Sequence, residues 1–378
     1  MKKKVLSLAM MLVLALVPMS IFAYSGSGTS SSPYLIQNAN DWNTLASEVA
    51  SGNTYSGVFF KLTSDISVTT MLGASGKPFS GTLDGDNKTI TVNYTSTASQ
   101  CALIPNGNNL TIKNLKVAGT ISTAHQQAGG FIGYLHNNAT ITDCVSDVTI
   151  NSTYNGKGVH GGFIGELDSQ AHATFTNCAF TGKLLGPDTN KCGGFVGWVY
   201  GYYSYWAQSG VATVTFTNCI FAPKEVTIGI GDAGANMNTS SATFARAFPT
   251  SGSSGNPNTS GLTFNNCYYT ETFGTVQGSH IYSVSGGPGV TVNFPGAHNN
   301  TTGVVIVNLG LTCDGSVYVT NGNQTLSLDL NYTGSQLPGG FTASAGTLTG
   351  NSNPYSLAMD GQDVVINAEV TEDNLHVK

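Results

Sequence analysis

Polar and apolar residues alternate in short runs through the middle of the chain. Thr140-Ile141-Thr142, Thr174-Phe175-Thr176 and Thr215-Phe216-Thr217 each set a large apolar residue between two threonines and are bounded by Gly, Asn or Asp. That two-residue period, carried by β-branched and aromatic residues, predicts half-buried β-strands. No convincing helical stripe interrupts these runs. Each strand ends in an Asp or Asn followed by Cys: Asp143-Cys144, Asn177-Cys178, Asn218-Cys219 and, more weakly, Asn266-Cys267. At that step the apolar phase slips by one residue, so that Phe175 is followed by Cys178 and Phe180, and Phe216 by Cys219 and Phe221. Ile112, Leu115 and Val117 make the same slip at Asn114. An unbroken strand cannot change phase, because its side chains alternate faces. A corner residue can, and Asn and Asp tolerate the left-handed backbone region. The pattern therefore predicts a corner at each Asn or Asp with the following Cys inward.

The runs belong to a repeat. Gly-Gly-Phe-Ile-Gly at Gly129 returns at Gly161, and as Gly-Gly-Phe-Val-Gly at Gly193, giving two successive periods of 32 residues (161 − 129 and 193 − 161). A fixed period in this range marks a solenoid, and strand-like units make it a stack of β-coils. The Gly-Gly pairs are expected at a second corner, where positive φ or close backbone approach excludes a Cβ; either Phe131 or Ile132 is the buried residue there. Near the N-terminus, Trp42, Leu45, Ala46 and Val49 follow helical spacing within Asp41 to Val49, with Asn40 or Asp41 as the cap. Such a helix suits a lid over the open end of the first coil. Beyond Gly303 the runs at 304–309, 316–320, 324–330, 355–357 and 364–370 read as short strands between turns, a separate small all-β module.

Gly-Gly-Phe-(Ile/Val)-Gly followed by strand-Asn-Cys resembles the GLUG-motif repeats of secreted and surface-exposed bacterial proteins. The resemblance is clear from Ala102 to Phe221 and weaker as far as Thr270; it departs from that pattern in Phe where Leu is usual, and in the loss of Gly-Gly from the last rung. It implies a right-handed parallel β-helix or similar β-solenoid on a cell-surface protein. It implies no reaction, so no catalytic residue is carried over. The expected organisation is a signal peptide (1–23), a β-solenoid with its N-terminal cap (24–302) and a small sandwich-like module (303–378).

Composition narrows the function. Lys2 to Lys4, the apolar run Val5 to Val17 and the small residue Ala23 form a secretory signal, whose apolar core is too short to span a membrane. Export to the cell exterior or surface is therefore expected, with no transmembrane span after the signal. Without the three signal lysines, 11 basic residues face 20 acidic ones, a net charge of −9, and Arg246 is the single arginine. A nucleic-acid partner is not expected, since neutralising phosphates needs Lys and Arg. Of seven cysteines, Cys144, Cys178, Cys219 and Cys267 share one slot of successive rungs, and Leu115 fills the same slot. A core ladder of small hydrophobes is favoured over disulfides. Cys and His show no paired spacing for a metal, and no cofactor is expected. Asp84-Gly85-Asp86-Asn87 offers oxygen ligands but reads as a plain turn.

Three sets of residues bear on chemistry. Glu166 and Asp168 are the nearest to a paired carboxylate, as a lyase or glycoside hydrolase on a β-helix would use; Asp143, Asp147, Lys183 and Lys191 lie on neighbouring rungs. The other repeats carry Tyr134 and Trp198 in the Glu166 slot, which favours reading these acids as solvated turn residues. His125, His136, His160 and His172 are scattered and read as surface residues. The segment Trp198 to Trp206 is six-ninths aromatic, with Tyr200, Tyr202, Tyr203 and Tyr205 between its two tryptophans. Such rings suit stacking on sugars or gripping a protein partner, and packing on the coil is the structural alternative. The sequence favours an adhesion or recognition solenoid whose partner is a glycan or a cell-surface protein, ahead of a polysaccharide-degrading enzyme or a spacer.

Overall fold

A computed structural model describes residues 24–154, 158–187, 191–199, 212–229, 241–247, 261–265, 267–280, 290–293, 325–328, 338–343, 345–352, 355–358 and 364–370. The signal segment 1–23, the boundary at 302/303, residues 200–211 and the strand runs expected at 304–309 and 316–320 lie outside them.

The middle of the chain is a parallel β-helix. Its longest ladder stacks Thr82–Ser96, Leu110–Thr123 and Asn138–Ser152 in parallel, then continues through His172–Thr176, Thr213–Thr217 and Leu262–Asn265. A second parallel ladder holds Ile104–Gly107, Ile132–Leu135, Ile164–Leu167, Val196–Val199 and Ala245–Ala247. A third, narrower one pairs Gln127–Gly129 with Val159–Gly161 and runs on as single bridges through Gly193, Ala242 and Thr275.

The corners fall where the phase slips. Asn114, Asp143, Asn177 and Asn218 have φ of 51°, 53°, 53° and 53°, in the left-handed region that short polar side chains tolerate. Their side chains form a ladder of their own along the solenoid. Asn114 donates to Asp84 Oδ1 (3.1 Å), Asn177 to Asp143 Oδ1 (2.8 Å) and Asn218 to Asn177 Oδ1 (3.1 Å). Asp84 to Asn87 also differs from the expected turn: it is a bulge within the single strand Thr82–Ser96, with Asp86 and Asn87 at positive φ and Asp84 ion-paired to Lys113. Asn177→Ala is expected to cost ~2 kcal/mol, from the left-handed penalty of a Cβ residue plus the lost ladder bonds, and Asn177→Gly about half that. Urea denaturation of the two variants checks the order; equal losses would remove the backbone contribution.

After each corner the cysteine turns inward. Cys144, Cys178 and Cys219 have no exposed surface and Cys267 has 4%. Their Sγ atoms point at backbone carbonyls two residues earlier, at 3.2–3.4 Å. All six described cysteines are free, as the core-ladder reading expects.

Aromatic columns fill the core. Phe131, Phe163, Phe195 and Phe244 stack at 4.8, 4.7 and 5.1 Å between ring centroids. Phe175, Phe216 and Phe264 stack at 5.0 and 5.4 Å in a second column, edge-on to the first. Ile132 is as fully buried as Phe131, so both residues after the Gly-Gly pair belong to the core. Each such ring pair contributes ~1 kcal/mol beyond its buried area.

At the N-terminal end, the helix α1 (Ala39–Ala50) buries Trp42, Leu45, Ala46 and Val49, the four positions its spacing selects. Its cap is Asn38, whose side chain accepts from the Asn40 and Asp41 amides; Asn40 and Asp41 themselves lie inside the helix. Asp41 instead reaches back past the cap to accept from the Gln37 amide (2.8 Å). Trp42 Nε1 donates to the Thr70 carbonyl (2.8 Å), pinning the helix to the coil beneath.

In the C-terminal region, Val290–Asn293 runs parallel to Val364–Val370, which pairs antiparallel with Pro338–Ala343. Tyr355–Ala358 lies antiparallel between Thr325–Leu328 and Thr347–Thr349. Gly339-Gly340-Phe341 therefore sits in an antiparallel strand, unlike the Gly-Gly-Phe of the repeats.

Candidate functional site

The Gly-Gly-Phe-Ile-Gly motif positions the second ladder through its third glycine. A Cβ on Gly133 would lie 2.6 Å from the Gln100 carbonyl oxygen, on Gly165 2.6 Å from the Gly133 oxygen, and on Gly197 2.6 Å from His160 backbone. Only glycine lets the second and third ladders approach this closely. Neither glycine of the preceding Gly-Gly pairs has positive φ; close backbone approach alone accounts for them.

The residue after that third glycine forms a row across the coils. Asn106 pairs with Tyr134, Tyr134 with Glu166, and Glu166 with Trp198, all in register. Tyr134 and Trp198 thus occupy the Glu166 slot, as the repeat predicts. On the next coil Arg246, the middle residue of its strand, holds its guanidinium 4.6 Å above the centre of the Trp198 ring. Arg246 is 2% exposed, and burial lowers its pKa to about 10, so it stays protonated at neutral pH. A cation over an indole contributes ~1 kcal/mol or more when desolvated.

Glu166 is not the solvated turn residue its neighbours suggest. It is 6% exposed within a strand, and its carboxylate accepts from Gln127 Nε2 on the third ladder. Asp168 follows the strand, half exposed. Its Oδ1 accepts from the Ser169 amide (2.7 Å), and its Oδ2 lies 3.8 Å from His136 Nδ1. His136 Nε2 bonds Asn106 Oδ1 at 2.9 Å, and the Tyr134 ring lies 4.8 Å from the imidazole. The two carboxylates are therefore engaged in different networks. Trp198 is half-buried. Tyr200, Tyr202, Tyr203, Tyr205 and Trp206 lie outside the described residues.

The other candidates have structural partners. Asp143 is a corner residue whose carboxyl pKa is raised by burial and lowered in part by Asn177. Asp147 bridges Lys224 (2.6 Å) and Lys116 (3.4 Å), and Lys183 pairs with Glu225 (2.8 Å). His172 is exposed, as expected, and opens a strand, with Nδ1 2.6 Å from Thr213 Oγ1. His160, expected at the surface, is fully buried; its Nε2 lies 2.9 Å from Ser152 Oγ, and burial together with nearby His125 lowers its pKa to about 3. Among the described residues, no group of three or more His, Cys, Asp or Glu could hold a metal ion, and no helix is long and apolar enough to cross a membrane.

A model of the GLUG motif matches residues 124–151, which hold the first Gly-Gly-Phe-Ile-Gly and its strand-Asp-Cys step. The chain carries a GLUG motif. Among solved structures it is similar to a Bacteroides ovatus protein provisionally described as an immunoglobulin A1 protease, at 18% identity and a TM-score of 0.44, over 68% of this chain and 86% of that one. No curated protein matches the chain. The matched segment covers one motif of the parallel β-helix.

Proposed function

We propose that this GLUG-motif β-helix is an exported, surface-displayed recognition protein that binds glycans beside Trp198. The observation that supports it is the register-locked row Tyr134, Glu166 and Trp198, which alternates aromatic, carboxylate and aromatic side chains on adjacent coils about 4.8 Å apart. Tyr134 and Trp198, both partly exposed, present ring faces for sugar stacking, while Glu166 between them is buried and held by Gln127. Arg246 holds Trp198 from one side, so the ring is in place before a ligand arrives, which lowers the ordering cost of binding. In the sequence, Trp198 is followed closely by Tyr200, Tyr202, Tyr203, Tyr205 and Trp206.

A glycan array of short oligosaccharides, followed by calorimetry on the hits, tests the reading. Trp198→Ala is expected to weaken binding at least about tenfold, equivalent to ~1.4 kcal/mol, with binding measured well below the variant's melting temperature, which losing the Arg246 contact should lower by a few degrees. Unchanged affinity in that variant would remove the site. Depolymerisation of a polysaccharide that is lost in Glu166→Gln would replace recognition with catalysis.

A further inference from the structure

We propose a second glycan surface, the outer face of the long ladder, which takes an extended, uncharged polysaccharide lying along the solenoid axis. The proposal rests on the glycan reading above and assigns it a polymer class and a different face.

Three consecutive coils present the same outward residues in register. Asn138, Thr140 and Thr142 lie beside His172, Thr174 and Thr176, and these beside Thr213, Thr215 and Thr217. The Thr140 row continues to Thr111 on one side and Thr263 on the other. Asn138, Thr140, His172, Thr174 and Thr263 are exposed, and the other threonines of the nine positions are half-buried. None of the nine is Asp, Glu, Lys or Arg. The inward positions are apolar and closed: Ala139 and Ile141, Ala173 and Phe175, Val214 and Phe216.

This face is regular and stiff. Phe175 and Phe216 lie beneath it with ring planes 10° apart, and Phe216 and Phe264 with planes 1° apart, so successive coils scarcely rotate. Flat sheets of this kind are sustained by stacked side-chain ladders. Threonine is restricted at χ1, so stacked threonines lose little freedom when they bind. Hydroxyls repeat about every 4.8 Å along the axis and about every 6.6 Å along each strand. The corner ladder of Asp143, Asn177 and Asn218 runs along one side of the strip and adds amide and carboxyl groups.

The nine positions make a flat strip of repeated donors and acceptors without charge, bounded by Lys113 beside Thr142 and by the Asp143 carboxyl at the corner, and they fit a polymer that also repeats hydroxyls without charge. A linear β-linked glycan offers one pyranose to roughly each coil, and alternate sugars, which present the same edge, can meet equivalent threonine pairs. Each contact is weak, so affinity comes from their number and rises with chain length. Charged polymers gain nothing from such a face.

The experiment is affinity electrophoresis of the mature protein in gels containing glucomannan or mixed-linkage β-glucan, with polygalacturonate as the charged comparison. Wild type is expected to be retarded by the neutral polymers, with calorimetric affinity that grows from disaccharide to hexasaccharide. The double substitution Thr174→Lys and Thr176→Lys is expected to weaken neutral-polymer binding at least about tenfold, and Thr174→Ser to retain it; melting temperatures show that both remain folded. Retention of full affinity by the double lysine variant overturns the proposal, as does absence of retardation by either neutral polymer. If Trp198→Ala abolishes short-oligosaccharide binding while the lysine variant binds polymer normally, this face fails and the Trp198 site stands. Loss in the lysine variant with Trp198→Ala unaffected gives the reverse.

Discussion

Replacing Gly162 by alanine is expected to lower the melting temperature by roughly 6–12 °C, from a loss of about 3 kcal/mol at ~2–4 °C per kcal/mol. The new methyl group would fall on the Gly194 carbonyl oxygen of the next coil and within 2.8 Å of Phe180 Cε2. That carbonyl already accepts from the Gly162 amide at 3.0 Å, and Phe163 makes the same inter-coil bond to Phe195 at 2.9 Å. The backbone on both sides is fixed by stacking, so the clash is relieved only by parting the coils. Differential scanning calorimetry gives the shift. A change under 2 °C would mean that the Gly-Gly pair is not a packing requirement.

The second large effect is on acid stability. His160 is neutral in the native protein because burial holds its pKa near 3, whereas an unfolded histidine titrates near its model value of 6.5. Below pH 6.5 the unfolded chain therefore takes up a proton that the folded chain refuses. The stability this residue allows is complete above pH 6.5 and is lost as pH falls toward 3, at ~1.4 kcal/mol per unit. Between pH 7 and pH 4.5 the expected loss is about 3 kcal/mol. Carboxylates titrate in the lower part of this range too, so the measurement is a comparison. His160→Gln keeps a side chain able to bond Ser152 but cannot be protonated there, and its melting temperature should fall less steeply with acid than that of wild type. Parallel curves would show that His160 does not govern the acid limb.

Local signals gave the coil and long-range contacts decided the site. The corners were readable because a phase slip is visible within six residues, as at Phe175, Cys178 and Phe180, and because Asn has a physical reason to be there. The helix was readable for the same reason, although the cap moved to Asn38, since Asn38, Asn40 and Asp41 compete within one turn and only the backbone path chooses. Equivalence of Tyr134, Glu166 and Trp198 followed from the period alone. The burial of Glu166 did not. Its partner Gln127 lies 39 residues earlier, and the third glycine that brings their ladders together acts through a contact between segments, not through local conformation. Arg246 is the only arginine of the chain, yet its stacking on Trp198 crosses from one coil to the next, and the intervening sequence carries no sign of it. His160 looked like its scattered neighbours because nothing in the sequence distinguishes a histidine that faces Ser152 from one that faces solvent.

The corner ladder has a further consequence for how such a chain can grow. Among the described residues, the backbone pairing of the central coils joins like positions of the repeat, with Gly161 beside Gly193 and Phe175 beside Phe216. The bonding surface at the end of one coil is therefore the same as at its start. Inserting or removing a whole coil leaves the backbone pairing of the remaining coils unchanged, whereas a one-residue shift within a coil would turn threonines inward and phenylalanines out. Length is thus quantised: the molecule gains or loses about 4.8 Å at a time, and duplication of a single genetic unit alters its reach without asking anything new of its core.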